Sequence, residues 1–376
     1  MIPVNEPRLD GRELEYVTEC LQTGWISSAG RFIGEFEESW AACCGRRYGV
    51  AVCNGTVALQ LAVAALRLGP GDEVIMPAFT IISCAMAVVY AGAVPVLVDA
   101  DPSTWCMDVS QVAARITPRT RAIMPVHIYG HPVEMDPLLE LAEKHGLAIV
   151  EDAAEAHGAE YLSARGPGPE WRRCGSFGDA SCFSFYANKL VTTGEGGMVV
   201  TDDEALAKRL RLLRNLAFLP GQRFLHEELG FNFRMTNVQA AIGLAQVERI
   251  GDTVERKRRI GACYVEALAS VPGIRMQVER PWARSVWWMN GLVLEKGSGH
   301  TAVSLAKALA SLGVETRPFF LGMDRQPALR ARGLFGGESY PVTEELADMG
   351  LYLPSGVGLT QEQQETVIAA VKQVLG

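Results

Sequence analysis

Short apolar runs alternate with helix-like segments along the first two thirds of the chain. Continuous apolar runs predict buried strands at residues 48–52, 73–76, 94–98, 122–126, 147–151, 181–185 and 198–201. Between them, apolar residues with helical spacing predict helices near residues 57–68, 81–90 and 137–144. Strands that alternate with helices form βαβ units. The pattern therefore predicts an α/β fold in which helices cover a mostly parallel sheet.

Towards the two ends of the chain, apolar residues keep helical spacing over longer segments. Amphipathic helices are predicted at residues 11–21 and 32–43, and the periodicity from 236 to about 268 predicts a helical bridge. Beyond the bridge, the pattern predicts one strand and two helices, near residues 287–294, 302–312 and 361–375. A Gly- and Pro-rich stretch, 163–175, is expected to be an exposed excursion. We therefore expect a large domain over residues 1–254, with an N-terminal helical segment, and a small C-terminal domain over residues 255–376.

One uncharged stretch, residues 78–98, is long enough to span a bilayer. Gly92 and Pro95 interrupt it, and Asp99 and Asp101 follow it without a positive flank. A buried helix, a turn and a strand explain the stretch, so we expect no membrane span.

Composition and charge exclude several classes of protein. With 48% hydrophobic and 21% charged residues, the chain is an ordinary globular sequence rather than a disordered one or a coiled coil. Its net charge of −8 argues against general binding of nucleic acid. Nine cysteines without a C-x-x-C pair predict a reduced compartment, and the N-terminus lacks the pattern of a signal peptide. We therefore expect a cytoplasmic protein.

Two polar motifs follow predicted strands, at the edge where open α/β sheets bind ligands. Asn54-Gly55-Thr56 opens a predicted helix, and the N–H groups of a helix N-terminus bind anions. A plain strand-to-helix turn explains that motif equally well. Asp152 ends the strand at 147–151, where it either projects a carboxylate into a cleft or caps the following turn.

The third motif contains Lys189, between the strand at 181–185 and a glycine-rich turn at 193–197. The chain has seven lysines among 35 Lys and Arg residues, so arginine supplies most of its surface positive charge. A lysine near a buried cleft can lose its proton and form a Schiff base, which arginine cannot do. Together the three motifs fit pyridoxal phosphate, which needs a lysine for its aldehyde, a carboxylate for its pyridine nitrogen and an anion site for its phosphate.

The same motifs resemble those of the DegT/DnrJ/EryC1/StrS aminotransferases, which are pyridoxal-phosphate sugar aminotransferases. The resemblance runs from about Asn5 to the C-terminus and rests on ordered motifs at residues 24–30, 54–56, 151–154, 184–197 and 231–241. It implies the type I aminotransferase fold, with a large domain whose mostly parallel sheet is flanked by helices and a smaller C-terminal α+β domain. It also implies a homodimer with shared active sites.

The resemblance assigns a role to each motif by position. Lys189 would bind the cofactor aldehyde and then shuttle protons, and Asp152 would pair with the pyridine nitrogen. The other expected cofactor contacts are Gly55, Thr56 and Ser184 at the phosphate, Phe79 on the ring, Glu155 near the 3′-oxygen, and Asn232 reaching in from the partner subunit. The candidates for the substrate site are Trp25, Arg234 and Arg317, although either arginine fits an interface equally well. His157 is expected to pack rather than to catalyse, and no metal is expected.

Two positions depart from the pattern of the family. Glu155 stands where the family commonly has glutamine, and a carboxylate facing the phenolate oxygen of the cofactor would have to be protonated or hydrogen-bond differently. The histidine that often follows shortly after Phe320 is absent, and residues 321–324 read Leu-Gly-Met-Asp. Some relatives have histidine in place of the Schiff-base lysine and act as dehydratases, so Lys189 favours transamination.

The resemblance implies transfer of an amino group from L-glutamate, through the pyridoxamine form of the cofactor, to a nucleotide-linked keto-deoxysugar. A 4-keto-6-deoxyhexose is expected, as in the perosamine-synthase-like members, and the motifs do not distinguish GDP from dTDP or UDP. Two alternatives stay open. One is a keto-cyclitol of the inosose type as the acceptor, and the other is a regulatory paralogue that binds the cofactor without turnover.

Overall fold

The computed structural model describes residues 1–219, 221–222 and 224–376. Within these residues the α-helices are α1 Glu13–Thr23, α2 Arg31–Cys43, α3 Gly55–Ala65, α4 Ser83–Tyr90, α5 Val112–Arg115, α6 Met135–His145, α7 Glu204–Arg214, α8 Asn237–Val247, α9 Ile250–Leu268, α10 Ala302–Ser311, α11 Pro327–Arg330, α12 Pro341–Met349 and α13 Gln361–Leu375. The strands are β1 Tyr48–Val52, β2 Glu73–Pro77, β3 Val94–Val98, β4 Thr120–Ile123, β5 Ala148–Asp152, β6 Glu160–Ser163, β7 Glu170–Arg173, β8 Ala180–Ser184, β9 Gly197–Thr201, β10 Ile274–Met276, β11 Ala283–Arg284, β12 Asn290–Leu294, β13 Arg317–Pro318 and β14 Gly350–Leu353. Short 3-10 helices lie at Val109–Gln111, Ile128–Gly130 and Met323–Arg325.

The described residues form a central seven-stranded sheet with the order β1-β9-β8-β5-β4-β2-β3. Neighbouring strands from β8 to β3 are parallel, whereas β9 is antiparallel to both β8 and β1. The expectation of a mostly parallel sheet flanked by helices is therefore confirmed. Because β1, β5 and β8 point the same way, the turns that follow them meet at one edge of the sheet.

The apolar runs predicted these strands closely. The strands β1 and β3 begin and end where the sequence predicted them. The helix predicted from residue 57 instead begins at Gly55, because the Asn54 side chain accepts the Val57 N–H at 3.0 Å and caps the first turn. Local capping chemistry, rather than the apolar period, thus decides where α3 starts.

The predicted helical bridge consists of two helices, α8 and α9, with a break at residues 248–249. The predicted boundary between residues 254 and 255 lies inside α9, whose later residues Ile260, Tyr264 and Leu268 belong to a second hydrophobic core. That core joins α9 to α10, α13 and the four-stranded antiparallel sheet β10-β12-β14-β13. At the other end of the chain, Ile2 pairs with Val314, so the first residues lie against the C-terminal part. The division at 254 stays a prediction.

Residues 163–175 are not wholly the exposed excursion that the sequence suggested. They contain β7, which pairs with β6, and β6 pairs in turn with β11 to form a three-stranded antiparallel sheet. The four residues of β7 are exposed or half-buried as expected, but the strand was not predicted because Glu-Trp-Arg-Arg has little apolar character. The Arg284 guanidinium packs over the Trp171 ring of this strand, with Arg284 Cζ 4.0 Å from the ring centroid.

The uncharged stretch at residues 78–98 forms α4 and β3 of the large sheet region. Over the part of the chain that the structure describes, no helix combines the length and the apolar character needed to cross a membrane.

Candidate active site

The turns after β1, β5 and β8 open onto a cavity of about 620 Å³. Each of the three sequence motifs contributes to its wall. Of the predicted site residues, the cavity brings together Gly55, Thr56, Asp152, Glu155, Ser184 and Lys189. Residues as far apart in sequence as Gly55 and Lys189 therefore share one space, about the size of a small-molecule site.

Lys189 extends into this cavity with only 10% of its side chain exposed. Its Nζ lies 3.8 Å from Glu155 Oε1 and 3.4 Å from the centroid of the Trp288 ring. Burial lowers the pKa of Lys189, and the carboxyl groups of Glu155 and Asp152 partly oppose that shift. The amine is therefore closer to its neutral, nucleophilic form than a surface lysine would be.

Asp152 is buried at the end of β5. Its Oδ1 accepts the Ala154 N–H at 3.0 Å, and its Oδ2 accepts the Cys84 S–H at 3.1 Å. Burial raises the pKa of Asp152, while the Ala154 N–H, the Cys84 thiol and the nearby Lys189 act in the opposite direction. A carboxylate with these neutral donors and a face on the cavity suits a cationic N–H partner such as a protonated ring nitrogen.

The N-terminus of α3 and Ser184 of β8 form the polar end of the cavity. A Cβ on Gly55 would lie 2.5 Å from the Ser184 Cβ, so the helix can approach this strand only because residue 55 is glycine. The Thr56 hydroxyl lies 2.9 Å from the Ser83 hydroxyl. The first N–H groups of a helix have no intrahelical acceptor, so this end of the cavity offers backbone and hydroxyl donors to an anion.

Glu155 is buried on the side of the cavity that faces Lys189. Its Oε2 accepts the Tyr129 N–H at 2.8 Å, and Tyr129 is held with a positive φ of 54°. Burial raises the pKa of Glu155 to about 7, against the lowering effects of Lys189 and the Tyr129 N–H. The Glu155 carboxyl group can therefore be protonated near neutral pH.

A second buried cluster surrounds Glu151 of β5, outside the cavity. His127, Glu151 and Cys174 offer potential metal ligands within 4.8 Å of one another. The Glu151 carboxylate, however, accepts hydrogen bonds from the His127 ring, the Ser181 hydroxyl and the N–H groups of residues 175, 177 and 178. These donors occupy both oxygens and hold the turn before β8 against β5. His157 is likewise a packing residue, in contact with the rings of Trp40, Phe183 and Phe185.

Five predicted site residues lie outside the cavity wall. Phe79 is fully buried and its ring faces Tyr129, Phe319 and Phe320, while Ile81 lies on the wall instead. Phe79 therefore cannot present its ring to the cavity in this structure. The remaining four are the exposed Asn232, Trp25 and Arg317, together with the half-buried Arg234.

Arg234 and Arg317 have partners elsewhere. Arg234 donates to Asn215 Oδ1 at 2.6 Å and lines a separate cavity of about 870 Å³ with Arg211 and Arg214. Arg317 pairs with Glu315 at 2.6 Å. Neither arginine reaches the cavity of Lys189 in the same chain.

The sequence reasoning missed the aromatic part of the wall. The residues concerned are Tyr186, Trp288, Phe320 and Tyr352. Trp288 was predicted inside a strand, but β12 begins only at Asn290, and Trp287 before it has a positive φ of 50°. That turn lets the Trp288 indole reach the cavity, where its N–H donates to the Asn188 carbonyl at 2.8 Å. The Trp287-Trp288 doublet was the signal available in the sequence.

These residues fit pyridoxal phosphate as a ligand of the cavity. The wall has an amine whose pKa is lowered by burial, a buried carboxylate, and a helix N-terminus with hydroxyl groups at its polar end. These are the groups needed by an aldehyde, a pyridine nitrogen and a phosphate, respectively.

Comparisons with known proteins agree with this chemistry. The chain matches the family described as the DegT/DnrJ/EryC1/StrS aminotransferase family over residues 7–372. It is 46% identical to the GDP-perosamine synthase of Caulobacter vibrioides, over 100% of this chain and 98% of that protein. It is 40% identical to the GDP-perosamine synthase of Escherichia coli O157:H7, over 96% of this chain and 95% of that protein.

A solved structure gives the same result for the fold. The crystal structure of DesV from S. venezuelae superposes with a TM-score of 0.88 at 38% identity, covering 97% of this chain and 94% of that one. The type I aminotransferase fold expected from the motifs is therefore confirmed. The chain belongs to the DegT/DnrJ/EryC1/StrS family of pyridoxal-phosphate-dependent aminotransferases.

Proposed function

We propose that this aminotransferase moves an amino group from L-glutamate to a nucleotide-linked 4-keto-6-deoxyhexose. The observation that carries the proposal is the cavity in which Lys189, Asp152 and the N-terminus of α3 meet. The choice of acceptor rests on similarity, because three relatives that are 36–46% identical are named GDP-perosamine synthases. A GDP-linked sugar is therefore the first acceptor to test.

Each polar group of the cavity has a distinct task in this proposal. Pyridoxal phosphate, when bound, supplies an electron sink for the carbon that loses a proton. Lys189 Nζ would bind the aldehyde and, as a free amine, would move the proton between the cofactor carbon and the sugar carbon. Asp152 would keep the pyridine nitrogen protonated, and the hydroxyls of Thr56 and Ser184 with the Gly55 N–H would hold the phosphate.

The aromatic wall gives the cavity a second, less polar face. Trp288 covers the Lys189 amine and limits its contact with water. Phe320 and Tyr352 lie on the same wall and offer ring surface to the apolar face of a deoxysugar. A site that excludes water in this way protects a reactive amine from side reactions.

We further propose that the protein works as a homodimer in which the second copy completes the site. Asn232 is exposed and lies outside the cavity of its own chain, as do Trp25 and Arg234. Leu14 and Leu21, on one face of α1, are also exposed. A copy of the chain seated on these residues would cover apolar surface and bring Asn232 to its neighbour's cavity. In that arrangement Trp25, Arg234 and Arg317 remain candidates for the nucleotide-sugar site.

The test is an amino-transfer assay with purified protein, pyridoxal phosphate, L-glutamate and a panel of acceptors. We expect 2-oxoglutarate and an aminated sugar to form with a GDP-, dTDP- or UDP-linked 4-keto-6-deoxyhexose, at a rate at least about 10³-fold lower in Lys189→Ala because covalent and acid–base catalysis are both lost. A keto-cyclitol is included as the competing acceptor, and sedimentation of the assay sample should show a dimer.

Several outcomes would contradict this proposal. Turnover of the keto-cyclitol alone would overturn the choice of a nucleotide sugar. Cofactor binding with no turnover of any acceptor would favour a non-catalytic paralogue. A monomer at the assay concentration that retains full activity would overturn the shared site. The exposed lysine variant Lys208→Ala serves as the matched control and should keep wild-type activity, because Lys208 pairs with Glu204 on the exposed face of α7 and does not line the cavity of Lys189.

A further inference from the structure

The amine of Lys189 lies between two unlike surfaces. On one side is the face of the Trp288 ring, and on the other is Glu155 Oε1 at 3.8 Å. A charge-assisted hydrogen bond between such groups is about 2.7–2.9 Å long, so this is an ion-pair contact without a direct hydrogen bond. The attraction between the charged forms is therefore weaker than in a closely bonded pair.

Among the residues that the structure describes, one N–H group donates to the Glu155 carboxyl group. The Tyr129 N–H reaches its Oε2, and only 6% of the side chain is exposed. Burial of an ionised carboxyl with a single N–H donor is unfavourable, and the neutral acid avoids much of that penalty. The same burial disfavours the ammonium form of Lys189.

We propose that Lys189 and Glu155 share one proton, so that the pair exchanges between ammonium with carboxylate and neutral amine with carboxylic acid. In this exchange the N–H bond of the ammonium breaks, an O–H bond forms on Glu155, and the electron pair stays on Nζ. No other bond changes and no electron leaves the pair. The exchange takes place when Nζ moves from 3.8 Å to hydrogen-bond distance from Oε1, and it supplies a neutral amine, the form that attacks a carbonyl carbon.

The other ionisable groups around the pair do not exchange a proton with Lys189 and Glu155 near neutral pH. Asp152 on β5 is the second carboxyl group facing Lys189, and it bonds Ala154 and Cys84 rather than the amine. Burial raises the pKa values of the remaining acidic neighbours, which are the Tyr129 and Tyr352 phenols and the Cys84 and Cys106 thiols. Burial lowers the pKa of His157 to about 3, so its ring is neutral as well.

This inference deepens the proposed function, because it concerns the lysine on which that function rests. It can nevertheless be tested separately. The exchange involves side chains of this chain alone, so it is measured in the cofactor-free protein without an amino donor or a sugar. Failure of amino transfer would not change the result of that measurement. A negative result of the measurement would likewise leave the proposed amino transfer unaffected.

The experiment measures the reactivity of Lys189 toward acetic anhydride across a pH series, with peptide mass spectrometry as the readout. We compare the wild type with Glu155→Gln, whose amide has the same size and can still accept the Tyr129 N–H. Loss of the facing carboxylate should lower the titration midpoint of Lys189 by about 1–3 pH units. An unchanged or raised midpoint in Glu155→Gln would overturn the proposal.

Two further variants separate charge from structure. Glu195→Gln is the matched control, since Glu195 lines the same cavity but is exposed; it should leave the Lys189 midpoint unchanged. Lys189→Ala is the reciprocal variant, in which infrared difference spectra follow the carbonyl stretch of the Glu155 acid. Removal of the cation should raise the pH at which the Glu155 acid loses its proton and that signal disappears. A Glu155 acid whose titration is the same with and without Lys189 would show that no proton is shared.

Discussion

Glu151 and Glu155 lie four residues apart in one motif, and both are buried, yet their surroundings differ. Five donors bond the Glu151 carboxylate, from His127, Ser181 and the backbone of residues 175, 177 and 178. Glu155 has the Tyr129 N–H and the more distant Lys189 amine. Burial alone would raise both pKa values, but the donors outweigh it at Glu151, whose pKa is lowered to about 2, whereas that of Glu155 is raised to about 7.

The difference shows how to distinguish a carboxylate that has a structural role from a carboxyl group that can exchange a proton. A saturated carboxylate such as Glu151 is fixed in one protonation state and holds backbone in place. A carboxyl group with unused bonding capacity beside a buried amine can change its state near neutral pH. Sequence position does not distinguish the two; the number of donors does.

The largest expected effect is on stability. In Glu151→Gln an NH₂ group faces backbone N–H donors, so buried donors lose their acceptor. We expect the free energy of unfolding to fall by about 3 kcal/mol or more. At about pH 4.5, where the folded-state carboxyl group of Glu155 is neutral like an amide, Glu155→Gln keeps an acceptor for Tyr129 and should change it by less than about 1 kcal/mol. Urea unfolding of both variants at matched protein concentration gives the comparison.

Equal losses of stability in the two variants would break the distinction between the two glutamates. A stable Glu151→Gln variant would show that the donors around residue 151 find other acceptors. Far-UV circular dichroism of each variant before unfolding ensures that both start from the folded state.

The pH dependence of stability should have opposite signs for the two residues. The folded-state pKa of Glu151 is below its unfolded value, so its contribution is present above about pH 4.5 and is lost as the pH falls towards 2. The folded-state pKa of Glu155 is above its unfolded value, so the folded protein holds the extra proton and loses stability as the pH rises from about 4.5 towards 7.

The measurement is the unfolding free energy of the cofactor-free wild type minus that of Glu155→Gln, at several pH values. This difference should decrease by up to about 1.4 kcal/mol per pH unit across that window. The further lowering of the Lys189 pKa in the variant acts in the same direction, since it destabilises the variant at low pH. A difference that is constant with pH would contradict a raised pKa at Glu155.

Much of the fold followed from the sequence because its strands are buried on both faces. Continuous apolar runs such as Tyr48–Val52 can be recognised without knowledge of their neighbours. The strand β7 could not be recognised in this way, because Glu170–Arg173 is polar and is held by pairing with β6. A strand that is held by its pairing rather than by its own apolar pattern has no local signature.

The site was predictable in its polar half and not in its aromatic half. Lys189, Asp152 and Gly55 follow strands, and that position placed them at one edge of the sheet. Trp288 and Tyr352 come from the C-terminal part of the chain, and only the packing of that part against the large sheet brings them to the cavity. Phe79 and Ile81 show the remaining difficulty. They lie two positions apart, and the sequence does not indicate which of the two side chains faces the cavity.

The most direct test of the account is the visible absorption spectrum of the purified protein with pyridoxal phosphate, before and after addition of L-glutamate. Lys189→Ala is compared with the wild type, with Lys208→Ala as the lysine control. We predict an absorption band of the covalently bound cofactor that falls when glutamate is added, in the wild type and Lys208→Ala but not in Lys189→Ala. A folded wild-type protein that shows no such band, or a band that glutamate leaves unchanged, would contradict the account.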